Sequence, residues 1–167
     1  MSLSSADPAA NAFRELSLVE TGQQTLDLSL DRIVAAIANH MQTDVGSLYC
    51  REHNEETLLL IATVGLLQSC VGNLRMRLSE GLVGLVAQKG RPVVLARATQ
   101  HPRFKYFPEA DEDEYQSFLG VPVIDEGNIQ GVLVVQTIEA RAFEPAEILQ
   151  LESVAKLIAP RLRTLHR

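Results

Sequence analysis

The sequence contains no tryptophan, and aromatic residues make up 5% of its 167 positions. It has two cysteines, Cys50 and Cys70. Two thiols are too few for the disulfide framework of a small secreted domain, and both lie among apolar neighbours, Cys50 after Leu48 and Tyr49 and Cys70 before Val71. A reducing, cytoplasmic setting fits that usage. No stretch approaches the ~20 apolar residues that span a bilayer, and residues 1–12 show no basic region followed by an apolar run. The chain is therefore expected to be neither exported nor membrane-inserted. An excess of positive charge is missing too: 15 Lys and Arg against 21 Asp and Glu give a net charge of −6. A field of that sign repels phosphate backbones and anionic lipid, which argues against nucleic acid and membrane as direct partners.

Several kinds of chemistry lack their residues. The four histidines, His40, His53, His101 and His166, are scattered, no two stand at i, i+4, and there is no Cys-x-x-Cys, so neither a metal site nor a cofactor is expected. No serine occupies a Gly-x-Ser-x-Gly elbow. Gly81-Leu82-Val83-Gly84 lacks the Lys-Ser/Thr of a phosphate loop and the strand context of a dinucleotide fingerprint, which leaves close helix packing as the use of its glycines. Glu109, Asp111, Glu112, Asp113 and Glu114 form an acidic run that reads as solvated chain. No catalytic residue is assigned.

What is present suffices for one well-cored domain: 46% of the residues are hydrophobic, and a chain of this length buries roughly 70% of its unfolded surface. Residues 1–25 read as a small-residue lead with a short helix at Phe13 and Leu16, residues 26–143 as the core and residues 144–167 as a C-terminal helix. Leu26, Leu30, Ile33, Val34, Ile37 and Met41 recur at three- and four-residue steps and predict an amphipathic helix. Six β-type runs follow, at Val45–Arg51, Thr57–Val64, Leu74–Leu78, Val93–Ala96, Ser117–Asp125 and Ile129–Glu139, with polar turns predicting antiparallel hairpins between the first two and the last two. A short helix over Leu82–Lys89 divides the third run from the fourth. Gly131-Val132-Leu133-Val134-Val135 is apolar at successive positions and predicts a central strand covered on both faces. Pro122 suits a bulge or a place where the ladder is incomplete.

In the C-terminal helix, expected over Pro145–Leu165, Ile148, Leu151, Ala155, Ile158, Leu162 and Leu165 follow a 3-4-3-4-3 series, the stripe of a coiled-coil seam. Ile148, Leu151, Ala155, Ile158 and Leu162 are the candidate dimer-interface residues, against the alternative that the stripe packs inside one protomer. Pro160 is expected to kink this helix or weaken its last turn.

The segment from His101 to Pro108 holds three of the eight aromatics, Phe104, Tyr106 and Phe107, beside His101, Arg103 and Lys105. Such a stretch folds over an open sheet face in one of two ways. Its rings either roof a ligand pocket whose cations meet a carboxylate or plug the sheet face themselves. His101, Arg103, Phe104, Lys105, Tyr106, Phe107 and Tyr115 are the candidate ligand-binding residues.

The succession of helix, hairpin, third strand, Ser79-Glu80-Gly81-Leu82-Val83-Gly84, aromatic segment, Ser117-Phe118-Leu119-Gly120-Val121-Pro122-Val123 and Gly131-Val132-Leu133-Val134-Val135-Gln136 resembles a GAF domain over residues 26–163. Within that family, His101–Pro108 followed by Ser117–Pro122 resembles the domains that precede the phosphoenolpyruvate-protein phosphotransferase of nitrogen-related phosphotransferase systems. The resemblance implies an α+β, profilin-like fold: a six-stranded antiparallel sheet with terminal helices on one face and a lidded pocket on the other. It further implies a cytoplasmic bacterial sensor, a homodimer, and a separate downstream domain that performs the phosphotransfer. The effector it implies is an amino acid such as glutamine, or a small carboxylate. The residue patterns of cyclic-nucleotide, bilin-attaching and methionine sulfoxide-reducing relatives are not reproduced. A dimerisation spacer without ligand and a thiol-dependent reductase are the two further readings.

Overall fold

A computed structural model of the protein describes residues 29–53, 56–105 and 115–165. The expected lead and short helix at 1–25, and the candidates Tyr106 and Phe107, lie outside the described residues.

Helix α1 (Leu30–Met41) begins where the Ser29 side chain accepts a hydrogen bond from the Arg32 N–H at 3.2 Å and ends at Gln42, which is left-handed with φ 56°. Its apolar positions form one face, and Ile33, Val34, Ile37 and Met41 are buried, as the spacing predicts. Strands β1 (Val45–Arg51) and β2 (Thr57–Val64) pair antiparallel. A 3-10 turn at Gln68–Cys70 leads to the short edge strand β3 (Arg75–Arg77). Helix α2 (Gly81–Lys89), β4 (Val93–Leu95) and a second 3-10 turn (Ala98–Gln100) precede β5 (Ser117–Asp125), β6 (Asn128–Thr137) and helix α3 (Pro145–Leu165). The strand bounds match the sequence pattern within two residues.

The sheet order is β3-β2-β1-β6-β5-β4, with antiparallel pairing throughout. The β5–β6 hairpin turns on Glu126 and Gly127, both at positive φ (51° and 80°), the geometry of a two-residue primed turn. Pro122 pairs with Val132 on the β6 side and lies past the end of β4, whose ladder stops at Gly120, so the incomplete edge expected of it is present. Strand β6 lies between β1 and β5, and residues 130–137 are all buried.

Alternation splits the apolar residues between two cores. On one face Leu48, Leu119, Val121, Leu133 and Val135 pack under α1 and α3; on the other Tyr49, Leu60, Phe118, Val132 and Val134 pack under α2 and the loops. Arg141 joins the two terminal helices: its guanidinium donates to the carbonyls of Met41 (2.9 Å) and Gln42 (3.2 Å), pairs with Glu147, and lies over the Phe143 ring.

Most of the α3 stripe packs inside the protomer, the alternative that the sequence left open, while Leu165 at its end is 55% exposed. Leu151, Ala155, Ile158 and Leu162 are at most 2% exposed in the core between α3 and the sheet, and Ile148 packs against that core. A 3-4 spacing serves a sheet face as well as a partner helix, and the sheet is the nearer apolar surface. The outer side, Leu149, Ser153, Lys156, Pro160 and Thr164, is mixed and carries no continuous apolar seam. The helix runs on through Pro160 to Leu165.

Candidate functional site

On the face opposite the terminal helices, the sheet and α2 border a partly open cavity of about 30 Å³. Its floor is Tyr49 of β1, Phe118 of β5 and Gln136 of β6; Met76 of β3 closes one side, and Leu82 and Val83 of α2 another. Phe118 and Gln136 are register neighbours, which brings a ring and an amide side by side. All six side chains are buried. Phe104, half-buried, and Lys105, exposed, complete the wall.

Local sequence explains how the last two arrive there. Residues His101–Phe104 form a turn closed by the Phe104 N–H on the His101 carbonyl at 3.0 Å, with Pro102 at the second position, where its fixed φ suits the turn. The His101 ring reinforces it: Nδ1 accepts from the Arg103 N–H at 3.0 Å, which places any ring proton of the neutral imidazole on Nε2. The Arg103 guanidinium then clamps the turn to α2, donating to Gln88 Oε1 at 2.8 Å and to the Leu78 carbonyl at 3.1 Å. Lys105 reaches Glu80, the residue before α2, in an ion pair. This pairing, together with the Arg77 backbone N–H at 3.0 Å, holds the Glu80 carboxyl below its usual range.

Of the ligand-binding candidates, the structure brings Phe104 and Lys105 to the cavity. His101 and Arg103 hold the turn and do not line it. Tyr115 is buried in the same core, with its hydroxyl 3.5 Å from the Gly65 carbonyl, and is also not a lining residue. Tyr49, Met76, Leu82, Val83, Phe118 and Gln136 were not singled out by sequence. Only Gln136 carried a signal, as a polar side chain ending an otherwise apolar central strand.

The thiols do not converge. Cys50 belongs to the core under the terminal helices and Cys70 to the core on the opposite face. Burial, and then the charge of Glu52, push the Cys50 thiol up to about 11. No group of three His, Cys, Asp or Glu among the described residues could hold a metal ion, and none of the described helices is long and apolar enough to cross a membrane.

A six-stranded antiparallel sheet with terminal helices on one face and a small cavity on the other defines the class, a small α+β domain built on one sheet. The chain belongs to the GAF domain family, which matches residues 25–162. It is 37% identical over 134 residues to a phosphoenolpyruvate-dependent phosphotransferase system protein of Escherichia coli, covering 80% of this chain and 18% of that protein. A Nif-specific regulatory protein of Azotobacter vinelandii is 31% identical over 164 residues, covering 94% of this chain and 31% of that one. The chain thus spans under a third of the length of these relatives. Among solved structures, the GAF domain of an Acinetobacter phosphoenolpyruvate-protein phosphotransferase superposes with a TM-score of 0.76 at 32% identity, covering 95% of both chains. A free methionine-R-sulfoxide reductase of Neisseria meningitidis has a TM-score of 0.73 at 23% identity, covering 98% of this chain and 95% of that one, a likeness of fold.

Proposed function

We propose that this domain is a regulatory, non-catalytic sensor. It binds a small carboxylate, with amino acids such as glutamine as the first class, in the cavity walled by Phe104 and Lys105. That binding biases phosphoryl transfer from phosphoenolpyruvate by a downstream domain in a cytoplasmic bacterial protein. The observation that carries this reading is the polarity of the cavity: apolar walls with an ammonium at the rim and the Gln136 amide in the floor. That arrangement suits a compact molecule with a carboxylate at one end.

Coupling to the C-terminal helix runs through the strands of the floor. Phe118 and Gln136 lie on β5 and β6, and the turn between these strands holds α3 by Arg163, which sits 3.1 Å from Asp125 and 3.1 Å from Glu126. A ligand displacing the floor changes the strands to which the end of α3 is tied. Driving such an equilibrium from 1:99 to 99:1 takes about 5.5 kcal/mol of differential affinity, so the expected response is graded.

The size of the cavity favours a second reading. At about 30 Å³ it holds roughly two waters, far below the ~300 Å³ of a metabolite site, so the domain as it stands is self-filled, like a spacer. Calorimetric titration with L-glutamine, 2-oxoglutarate and nucleotides separates the two. The sensor binds a carboxylate probe, and Lys105→Ala weakens that binding about tenfold; an unchanged constant removes Lys105 from the site. No binding by any probe leaves the spacer.

A further inference from the structure

Glu80 precedes α2 at the position where a side chain normally caps a helix, yet it makes no capping bond to the first turn. Its carboxylate is turned instead toward two other groups: Oε1 accepts from the Arg77 N–H, three positions back, at 3.0 Å, and Oε2 pairs with Lys105, 25 positions on, the cation of the cavity rim. Glu80 thus places a carboxylate on the one ammonium that lines the cavity. The neighbouring residue in the chain is Phe104, part of the cavity wall, so a movement of Lys105 bears on where that ring sits. Arg103 is anchored separately, to Gln88 and the Leu78 carbonyl. Loss of the Lys105–Glu80 contact therefore leaves the turn attached to α2 through Arg103.

We propose that Glu80 is a built-in competitor for the ligand. Its carboxylate occupies the place on Lys105 that the ligand's carboxylate takes, and exchange of one for the other draws Lys105 away from α2, shifts the Phe104 wall with it and widens the cavity. This inference rests on the cavity being the ligand site. It narrows the ligand to short molecules that carry a carboxylate, since a molecule without one has nothing to exchange with Glu80. The displaced carboxylate keeps the Arg77 N–H as a partner and lies partly in solvent, so the exchange strands no buried charge.

Glu80→Gln tests this, because glutamine retains an oxygen for the Arg77 N–H and removes the charge opposite Lys105. The absence of tryptophan from the sequence makes Phe104→Trp a fluorophore with no background. In that background Glu80→Gln shifts emission to the red and increases acrylamide quenching without any ligand. Hydrogen exchange of residues 101–105 in the chain without the tryptophan gives the same information should Phe104→Trp not fold. Glu80→Gln also tightens binding of 2-oxoglutarate or L-glutamine about fivefold, the scale of a half-exposed ion pair, and this gain vanishes in a Lys105→Ala background. Unchanged quenching and exchange overturn the competitor role. Faster exchange with no binding of either probe to any variant overturns the exchange of carboxylates, and with it the ligand-site reading, while the contact itself is retained. Tighter binding that persists in Lys105→Ala overturns the assignment of Lys105 as the group over which the two carboxylates compete.

Discussion

A methyl group placed on Gly84 would come within 2.6 Å of the Leu78 carbonyl oxygen and 2.8 Å of that of Arg77. Both obstacles are backbone, so α2 cannot lie this close to the β3 loop with any side chain at that position. Gly84→Ala is expected to lose about 1–3 kcal/mol in urea denaturation; full retention of stability would mean that the loop yields. The two thiols make a second prediction. Cys50 is buried with its thiol pushed up to about 11, so it is not a thiolate at neutral pH, and Cys70 is buried on the other face. Both should react with a disulfide reagent only after denaturation, and prompt reaction of the native protein would revive a redox role. Acid sensitivity belongs at this scale as well. Glu52, held down chiefly by its hydrogen bond from Arg75, and Glu80, held down chiefly by Lys105, lie below the usual glutamate range in the folded state. Depressed carboxyls contribute stability that is present above the unfolded value and is lost as pH falls through the folded one. Melting temperature should therefore drop below about pH 4.5, and less steeply in Glu52→Gln, where the linkage is removed.

At the scale of elements, α3 shows what periodicity can and cannot say. The 3-4 series located a buried stripe correctly but not the surface that buries it, because a sheet face and a partner helix ask for the same residues. Ile158 is fully buried against the sheet. Ile158→Ala should cost about 2–5 kcal/mol of stability, read by chemical denaturation, and Ile158→Asp should unfold the domain rather than yield a folded monomer. A folded Ile158→Asp variant of ordinary stability would place that side chain at an interface after all. The strands were legible because β-branched runs bounded by turn residues have few other uses. The doubly apolar β6 announced its central place for the same reason. The cavity was less legible: Tyr49, Met76, Leu82 and Phe118 are ordinary core residues in any local window, and only the register of β1, β5 and β6 under α2 makes them neighbours. In the aromatic segment, composition marked Phe104 and Lys105 well. It could not tell them from His101 and Arg103, which shape the turn instead of facing the cavity.

For the whole molecule, the two cores divide the labour. The face under α1 and α3 is filled by the terminal helices, while the opposite face keeps a small space beside α2 whose rim carries the Lys105–Glu80 ion pair. The net charge of −6 opposes anionic ligands at long range, so recognition depends on Lys105 at close quarters and should weaken as salt rises. The most direct test of the account is an amide NMR titration of the domain with 2-oxoglutarate and L-glutamine. A ligand in the proposed site moves the resonances of Leu82, Val83, Phe104, Lys105 and Gln136 together and saturates. Spectra that stay unchanged at millimolar probe, or shifts confined to the α1 and α3 side of the sheet, would contradict it.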